Sequence, residues 1–373
     1  MSAWLTIVLT GAFVATSCSL VGTFLVLRKM ALLGDAISHA VLPGIVIAFL
    51  VTNSLASFPM LIGASLVGVA TVFFVETLNR SRRLYEDTSI GVVFPALFSL
   101  GVILVSVYAG KVHIDAECVL YGEIGLSHLN EWIVGGKSLG PKSLWMTGGV
   151  MLLDLVLVLL FYKELKLASF DPDMAGSIGF SPVLVHYLLM TAVSITVVAS
   201  FESVGSILVV AMLVVPPAAA YLITTQLSRM MGVAVVIGVA SSAAGYGMAR
   251  WTDCSIAGAM ASAAGLFFVV ALLASPRNGL VARLVSRWRL RERLTRQLLL
   301  LHLKGRAGIE KPGTLEPDDL VLRFGWSRPR IHRALRRLQS SGLVETRDGK
   351  CSLTPAGEVA LDREGTAALA HPH

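Results

Sequence analysis

Nine apolar runs of membrane-spanning length dominate this sequence of 373 residues. About 20 consecutive apolar residues are enough to cross a bilayer as an α-helix. Hydrophobic residues make up 55% of the chain and charged residues only 15%, and the mean hydropathy is +0.73. We therefore predict an all-α polytopic membrane protein. The runs cover residues 4–27, 31–51, 58–78, 89–108, 143–162, 183–200, 204–224, 231–249 and 255–274.

The positive charges predict how these spans are oriented. Lys and Arg concentrate after odd-numbered spans, and cytoplasmic loops are the ones that carry such an excess. We therefore expect the N-terminus outside and the C-terminus in the cytoplasm. The positive clusters are Arg28-Lys29, Arg80 with Arg82 and Arg83, Lys163 with Lys166, Arg229, and the residues from Arg277 onward.

The overall net charge of +7 hides a division of the chain. Residues 1–276 carry 12 Lys and Arg against 14 Asp and Glu, whereas the remaining residues carry 19 against 10. This asymmetry predicts a transmembrane domain over 1–276, a basic linker or helix over 277–296, and a cytoplasmic domain over 297–373 that ends in a short disordered tail. A basic tail can face a membrane surface, a partner protein or nucleic acid.

An acid and a base lie inside the second span. Asp35 and His39 are one helical turn apart, so both side chains leave the same face of the helix. Ionisable groups within a bilayer are costly and usually functional. The pair either satisfies its own polar groups within a helix bundle or binds a cation, since imidazole and carboxylate both ligate first-row transition metals.

A second acidic cluster lies in the long polar loop between the fourth and fifth spans. His113, Asp115 and Glu117 alternate along "HIDAE" and could pass a metal cation inward. The alternative is a solvated loop without a ligand. His128 and His186 are interpreted as polar or packing residues.

A short helix is predicted between the fifth and sixth spans. Asp171, Pro172 and Asp173 are typical of a helix start, and Gly179 ends a helix from Met174 to Ile178. Such a helix has the right size to rest in a groove of a soluble partner, although it could be a simple connector. The chain contains no GxxxxGK[ST] phosphate-binding loop, so we expect it not to be an ATPase.

The cytoplasmic tail has the pattern of a small winged helix. "RLTRQLLLLHLKG" indicates a helix with a basic flank, and Pro317 opens a short helix. Ser327 then caps a helix with an apolar stripe that Gly342 ends, and Asp348-Gly349 indicates a hairpin. A last helix begins at "TPAGEVAL". Five arginines of the capped helix are candidate DNA contacts: Arg328, Arg330, Arg333, Arg336 and Arg337.

Four stretches resemble a known family. "LRKMALLGDAISHAVLPGIVIAF" resembles the signature of the permeases of ABC metal-ion importers, which carry zinc, manganese or iron(II). "VHIDAECVLYGEI" resembles the outer-loop segment of manganese-type members, and "SFDPDMAGSIGFSP" the family's cytoplasmic coupling segment. "SVGSILVVAMLVVPPAAAYLIT" resembles its proline-broken helix. These matches follow the family order over residues 1–275, while the tail resembles the DNA-binding domains of metal-dependent repressors.

The resemblance implies a transporter of the vitamin B12-importer type in the bacterial inner membrane. Two permeases, alike or paralogous, would assemble with two cytoplasmic ATPases and an extracytoplasmic metal-binding lipoprotein. Manganese would be the cargo, with zinc or iron(II) as alternatives, and no cofactor would be permanently bound. The alternative function is a membrane-tethered, metal-responsive DNA-binding regulator.

The resemblance also implies site residues. Asp35 and His39 would coordinate the cation, with Ser38 adjacent and His113, Asp115 and Glu117 in the outer loop. Asp171, Asp173, Ala175 and Gly179 would form the coupling segment that contacts the ATPase.

Overall fold

The computed structural model confirms the predicted helical membrane protein. It describes residues 2–52, 57–80, 84–108, 124–127, 129, 131–134, 137–275, 279–307, 328–347 and 350–361. Within these residues, nine helical segments are long and apolar enough to cross a membrane, and they coincide with the nine predicted runs. Helices satisfy all their backbone hydrogen bonds internally, as a bilayer requires.

The chain divides into two compact units, Met1–Gly279 and Leu280–His373. The first unit contains α1 (Ala3–Leu27), α2 (Leu32–Ala40), α3 (Leu42–Thr52), α4 (Ser57–Arg80), α5 (Glu86–Tyr108), β1 (Glu131–Val134), β2 (Lys137–Pro141), α6 (Lys142–Leu160), α7 (Tyr162–Phe170), α8 (Pro172–Ser177), α9 (Pro182–Val204), α10 (Ser206–Ile223), α11 (Leu227–Thr252) and α12 (Ile256–Ala274). The second contains α13 (Leu280–Ala307), α14 (Arg328–Ser340), β3 (Val344–Arg347) and β4 (Lys350–Leu353), followed by helical residues 355–361.

Helix α1 lies at the centre of the first unit. It packs against α6, α9, α10 and α11, and its residues Phe24 and Leu25 are fully buried. A Cβ at Gly22 would lie 2.0 Å from the backbone oxygen of Leu213 in α10, so the missing side chain lets these two helices approach closely. By contrast, α5 exposes a long apolar surface, which suits contact with lipid or with another membrane chain.

The helix interruption in this unit differs from the expected one. Helix α10 continues through Pro216 and Pro217, whereas the second span is divided at Val41 between α2 and α3. A proline removes one backbone hydrogen bond but need not end a helix when neighbouring helices support it. The Pro-Pro pair is buried in the unit, and Pro43 lies in the first turn of α3, where its missing N–H is harmless.

The second unit has its own apolar core. Helix α14 turns Ile331, Leu335 and Leu338 inward, as its stripe predicted, and Gly342 has the positive φ that favours glycine after a helix. The predicted hairpin is confirmed, since β3 pairs with β4 antiparallel and Arg347 lies opposite Lys350. Helix α13 runs through the predicted boundary at residue 296 because Leu299, Leu300 and Leu303 belong to this core. Residues 308–327, which include Pro317 and Ser327, lie outside the described residues.

Candidate functional site

Asp35 and His39 lie on one face of α2, one turn apart as the sequence predicted. His39 Nε2 is 3.6 Å from Asp35 Oδ1. The side chain of His39 is 37% exposed and that of Asp35 is 50% exposed. The pair is therefore not enclosed in the bundle core, and both groups remain accessible to a ligand from outside the unit.

The neighbours of this pair fix its position. The imidazole of His39 lies against the rings of Phe94 and Phe98 in α5, at centroid distances of 5.8 and 6.5 Å. On the same helix, a Cβ at Gly34 would lie 2.2 Å from the Leu213 side chain, so α2 packs closely on α10. The Ser38 hydroxyl donates to the Gly34 carbonyl oxygen at 2.8 Å and is buried, which turns it away from the exposed pair.

The ligand set at this face is small. Among the residues that the structure describes, no three His, Cys, Asp or Glu side chains converge as a metal site. The outer-loop candidates His113, Asp115 and Glu117 lie outside the described residues, as does His128. The described part of one chain thus offers a carboxylate and an imidazole, and further ligands would have to come from water, the outer loop or a second molecule.

The short helix α8 is confirmed, two residues earlier at its start than predicted. Asp171 caps it by accepting a hydrogen bond from the Met174 backbone N–H at 2.9 Å, and Pro172 occupies its first turn. After the helix, Gly179 has φ +98°, which a residue with a Cβ rarely adopts. The turn chemistry read from the sequence therefore accounts for both ends.

The tertiary structure changes which residues of α8 can meet a partner. Ala175 is 2% exposed, so it packs inside its own unit and cannot lie on an outward contact surface. Met174 is 52% exposed and Ile178 56%, and they are one helical turn apart. The outward apolar surface of this segment is therefore formed by Met174 and Ile178, while Asp171 caps the helix and Gly179 ends it.

A polar network that the sequence did not reveal lies beside this segment. Arg28, just after α1, donates from Nε to the Ser169 hydroxyl at 3.1 Å, and its Nη1 is 3.3 Å from His186 Nδ1. His186 Nε2 is in turn 3.7 Å from Glu76 Oε2. Burial lowers the pKa of the Arg28 guanidinium from its usual value. These residues line a cleft of about 450 Å³ and join the ends of α1, α4, α7 and α9. His186 is therefore part of a network that links four helices.

A buried carboxyl group in α6 is a second feature that was not among the predictions from the sequence. Asp154 is fully buried, and its Oδ2 lies within hydrogen-bond distance of the Ser17 hydroxyl of α1 and of the Thr196 hydroxyl of α9. The sequence signal was available, since Asp154 is the one charged residue in the apolar run "MLLDLVLVLL". Charged residues within spans are rare and usually have a function.

In the second unit, the candidate DNA contacts lie on α14. Arg333, Arg336 and Arg337 are exposed, and Arg328 and Arg330 belong to the first turn of the same helix. Arg337 forms an ion pair with Glu292 of α13. Part of the positive charge of α14 is thus compensated within the unit.

Comparison with known proteins places residues 2–275 in one family. They match the model of the ABC 3 transport family. The chain is 50% identical over 281 residues to the manganese transport system membrane protein MntD of Bacillus subtilis, covering 75% of this chain and 94% of that protein. It is 42% identical over 356 residues to the zinc transport system membrane protein TroD of Treponema pallidum, covering 95% and 96%.

A solved structure agrees with the sequence relatives. PsaBC from Streptococcus pneumoniae, determined in complex with a Fab, matches with a TM-score of 0.62 and 29% identity. The match covers 74% of this chain and 94% of the chain in that structure. MntD and TroD match different lengths of the present chain. The similarity to MntD covers 75% of it, whereas the similarity to TroD covers 95% and so extends through most of the basic tail.

Proposed function

The chain belongs to the ABC 3 transport family and is the permease subunit of a metal ABC transporter, and we propose that it imports a divalent first-row transition metal, manganese foremost. The chain is not itself an enzyme, since ATP hydrolysis in such transporters belongs to a separate subunit. MntD, at 50% identity, supports manganese as the cargo, whereas TroD, at 42%, supports zinc as the next candidate. Iron(II) remains the third candidate cargo.

The half-exposed pair of Asp35 and His39 is the observation that carries this proposal. Carboxylate oxygen and imidazole nitrogen suit manganese, zinc and iron(II) alike. Two ligands from one chain hold a cation weakly, which allows release during transport. A second permease copy facing the first would contribute the same pair and raise the ligand count to four, while His113, Asp115 and Glu117 would guide the cation from the outer side.

We propose that α8 transmits the work of ATP hydrolysis. Met174 and Ile178 would insert into a groove of the ATPase, and Asp171, Asp173 and Gly179 would hold the helix in shape. The Arg28 network beside it supports this proposal, because it connects the end of α7 to three other helices through Ser169 and His186. A displacement of α8 would thereby be transmitted to the helices that this network connects.

The proposed orientation follows the positive charges. The N-terminus lies outside, the tail lies in the cytoplasm, and the membrane is the bacterial inner membrane. An extracytoplasmic lipoprotein would then deliver the metal to the side opposite α8.

For the second unit we propose a winged helix. The confirmed hairpin and the packed stripe of α14 support this assignment. The long similarity to TroD favours a role of the tail in a transporter over a membrane-tethered regulator. Non-specific DNA binding by the arginines of α14 is a second candidate function, supported by the exposure of Arg333, Arg336 and Arg337.

DNA titration of the isolated second unit, residues 280–373, tests that second function. Duplex DNA at low salt should bind, and binding should weaken steeply as salt rises, because released counterions drive it. Replacing Arg333 and Arg336 together with Glu should reduce the salt slope by about two, about one for each lost phosphate contact. The control variant, Arg291→Glu with Arg296→Glu, makes the same change in net charge on α13, outside the proposed contacts. A folded unit that binds no DNA would leave docking to a protein as the function of the tail.

Reconstitution tests the transport proposal. The permease, its ATPase and its binding protein in liposomes should hydrolyse ATP faster when the binding protein carries manganese than when it carries zinc or iron(II). A larger stimulation by zinc would reassign the cargo. Equal hydrolysis with and without any metal would contradict the proposal.

A further inference from the structure

Three short oxygen–oxygen contacts around the buried carboxyl group of Asp154 share only two hydroxyl protons, those of Ser17 and Thr196. The Thr196 hydroxyl oxygen is 2.7 Å from Asp154 Oδ2 and 2.8 Å from the Ala192 carbonyl oxygen. A hydroxyl has one proton, so Thr196 can donate to one of these acceptors and not to both. An ionised Asp154 would leave one of the two short oxygen–oxygen contacts without a proton.

Protonation of Asp154 would supply the missing proton for these three contacts. If Oδ2 carries it, the carboxyl O–H donates to Thr196 Oγ1, and the Thr196 hydroxyl then donates to Ala192. Oδ2 retains a lone pair for the Ser17 hydroxyl of α1. All three contacts are then satisfied.

The surroundings also disfavour a charge at this position. Asp154 is 0% exposed, and within the described residues Oδ1 has no hydrogen-bond partner and no Lys, Arg or His forms an ion pair with the carboxyl group. The adjoining residue of α1, Cys18, is likewise fully buried and supplies no positive charge. Burying an unpaired carboxylate is far costlier than burying a neutral acid, which needs only hydrogen bonds.

We propose that Asp154 is a proton-binding site that holds spans one, five and six together as a neutral carboxylic acid. The proton comes from water and converts the carboxylate into a hydrogen-bond donor. Because the donor faces α9 while the same oxygen accepts from α1, one proton fixes three helices relative to one another. This site is separate from the Asp35 and His39 pair and does not depend on which metal is transported.

Infrared spectroscopy of the purified permease tests the proposal directly. At neutral pH, the wild-type protein should show the C=O band of a protonated carboxyl group, and the band should shift in D₂O. Asp154→Asn should remove the band. If the substitution instead removes the bands of an ionised carboxylate, or changes neither, the proposal is wrong.

Two valine variants test the hydrogen-bond partner. Thr196→Val keeps the side-chain shape but removes the hydroxyl, so the carboxyl band should move to the higher frequency of a weaker hydrogen bond. Thr147→Val is the matched control, since Thr147 is also buried in α6 but donates to Ser143, about two helical turns from Asp154. A band that shifts equally in both variants, or in neither, would contradict the assigned contact.

Thermal unfolding tests whether Asp154 stabilises the protein as a neutral hydrogen-bond donor or as a negative charge. The amide nitrogen introduced by Asp154→Asn would still donate to Thr196 but could not accept from Ser17, so this variant should unfold somewhat below the wild-type temperature. Asp154→Leu has the same branching at Cγ but no hydrogen-bonding groups, and it should unfold at a clearly lower temperature. An Asn variant that is no more stable than the Leu variant, or that fails to fold, would overturn the proposal, because it would mean that a neutral donor to Thr196 does not hold the helices together.

Discussion

Single ionisable residues act in this molecule according to their exposure. Asp35 and His39 are half-exposed on α2 and can meet a cation, whereas Asp154 is closed off among three helices. Glu76 and His186 lie between these extremes, since they are partly buried and belong to a network beside the short helix α8. The same chemical groups are therefore accessible to a ligand, enclosed between helices or part of a polar network, depending on what surrounds them.

Substitution of the proposed cation ligands is the residue-scale prediction. Asp35→Asn and His39→Ala should each lower metal uptake by at least about tenfold, because even the loss of an outer partner of a metal ligand costs ~10–100-fold in affinity or activity. Uptake of radiolabelled manganese at limiting concentration measures this. Asp253→Asn is the control, since it removes an exposed carboxylate at a left-handed position that Asn tolerates. Wild-type uptake by both pair variants would exclude the proposed site.

Helices in the first unit are held by close backbone contacts as well as by apolar side chains. Gly22 meets the backbone of α10, and Gly44 of α3 meets Gly63 of α4 in the same way. Small residues at helix interfaces are the usual means of close packing in a membrane, where lipid offers no hydrophobic driving force between helices. The position of α2, and with it that of Asp35 and His39, depends on this packing, since a Cβ at Gly34 would meet the Leu213 side chain.

Overpacking at Gly22 should destabilise the permease. The Cβ of Gly22→Ala would meet the Leu213 carbonyl oxygen at 2.0 Å, so α1 and α10 must move apart at a cost of about 1–3 kcal/mol. Thermal unfolding in detergent should show a lower midpoint. Gly247→Ala in α11 is the matched control, because an added Cβ there meets no atom within 4 Å. Equal stability of the two variants would mean that the close contact is not needed.

A substitution in the short helix α8 is the second prediction at the scale of secondary-structure elements. Met174→Arg places a charge on the outward apolar surface of α8 and should release the ATPase or uncouple hydrolysis from transport. Met174→Leu keeps the apolar contact and should behave as wild type. Co-purification of the ATPase and the ratio of metal moved to ATP hydrolysed are the measurements. If the Arg variant retains both, α8 does not dock through Met174.

At the scale of the whole molecule, the orientation in the membrane decides which surfaces meet which partners. The exposed Cys254 lies between α11 and α12, on the side predicted to be outside, whereas Cys18 and Cys351 are buried in their units. The short helix α8 and the second unit are predicted on the opposite side. The native cysteines therefore provide probes of this arrangement.

Labelling of intact cells tests the orientation. The fourth cysteine, Cys118, is first replaced by Ser so that it cannot react. In this Cys118→Ser variant, a membrane-impermeant maleimide should label Cys254, because an exposed thiol reacts whereas buried ones do not. Cys254→Ser should abolish the labelling. A variant that reacts at Cys254 only after the cells are opened would reverse the proposed topology, and would place the tail outside.

Local chemistry in the sequence determined much of the architecture. The nine spans follow from apolar length, α8 from the capping group of Asp171 and the glycine at 179, and the β3–β4 hairpin from its turn residues. Each of these signals acts within a few residues, so it can be read without knowing the fold. The shared helix face of Asp35 and His39 was predictable in the same way, since their spacing of one turn is itself local.

Only the tertiary structure decided the contacts between distant segments. It turned Ala175 inward and Met174 outward, joined Arg28 to Ser169 and His186, and enclosed Asp154 between Ser17 and Thr196. It also kept α10 continuous through Pro216 and Pro217. The span pattern cannot predict these contacts, because the sequence of a nearly uniform apolar helix does not indicate which face its neighbours will cover. Burial and hydrogen bonding depend on that face, and packing of the whole bundle selects it.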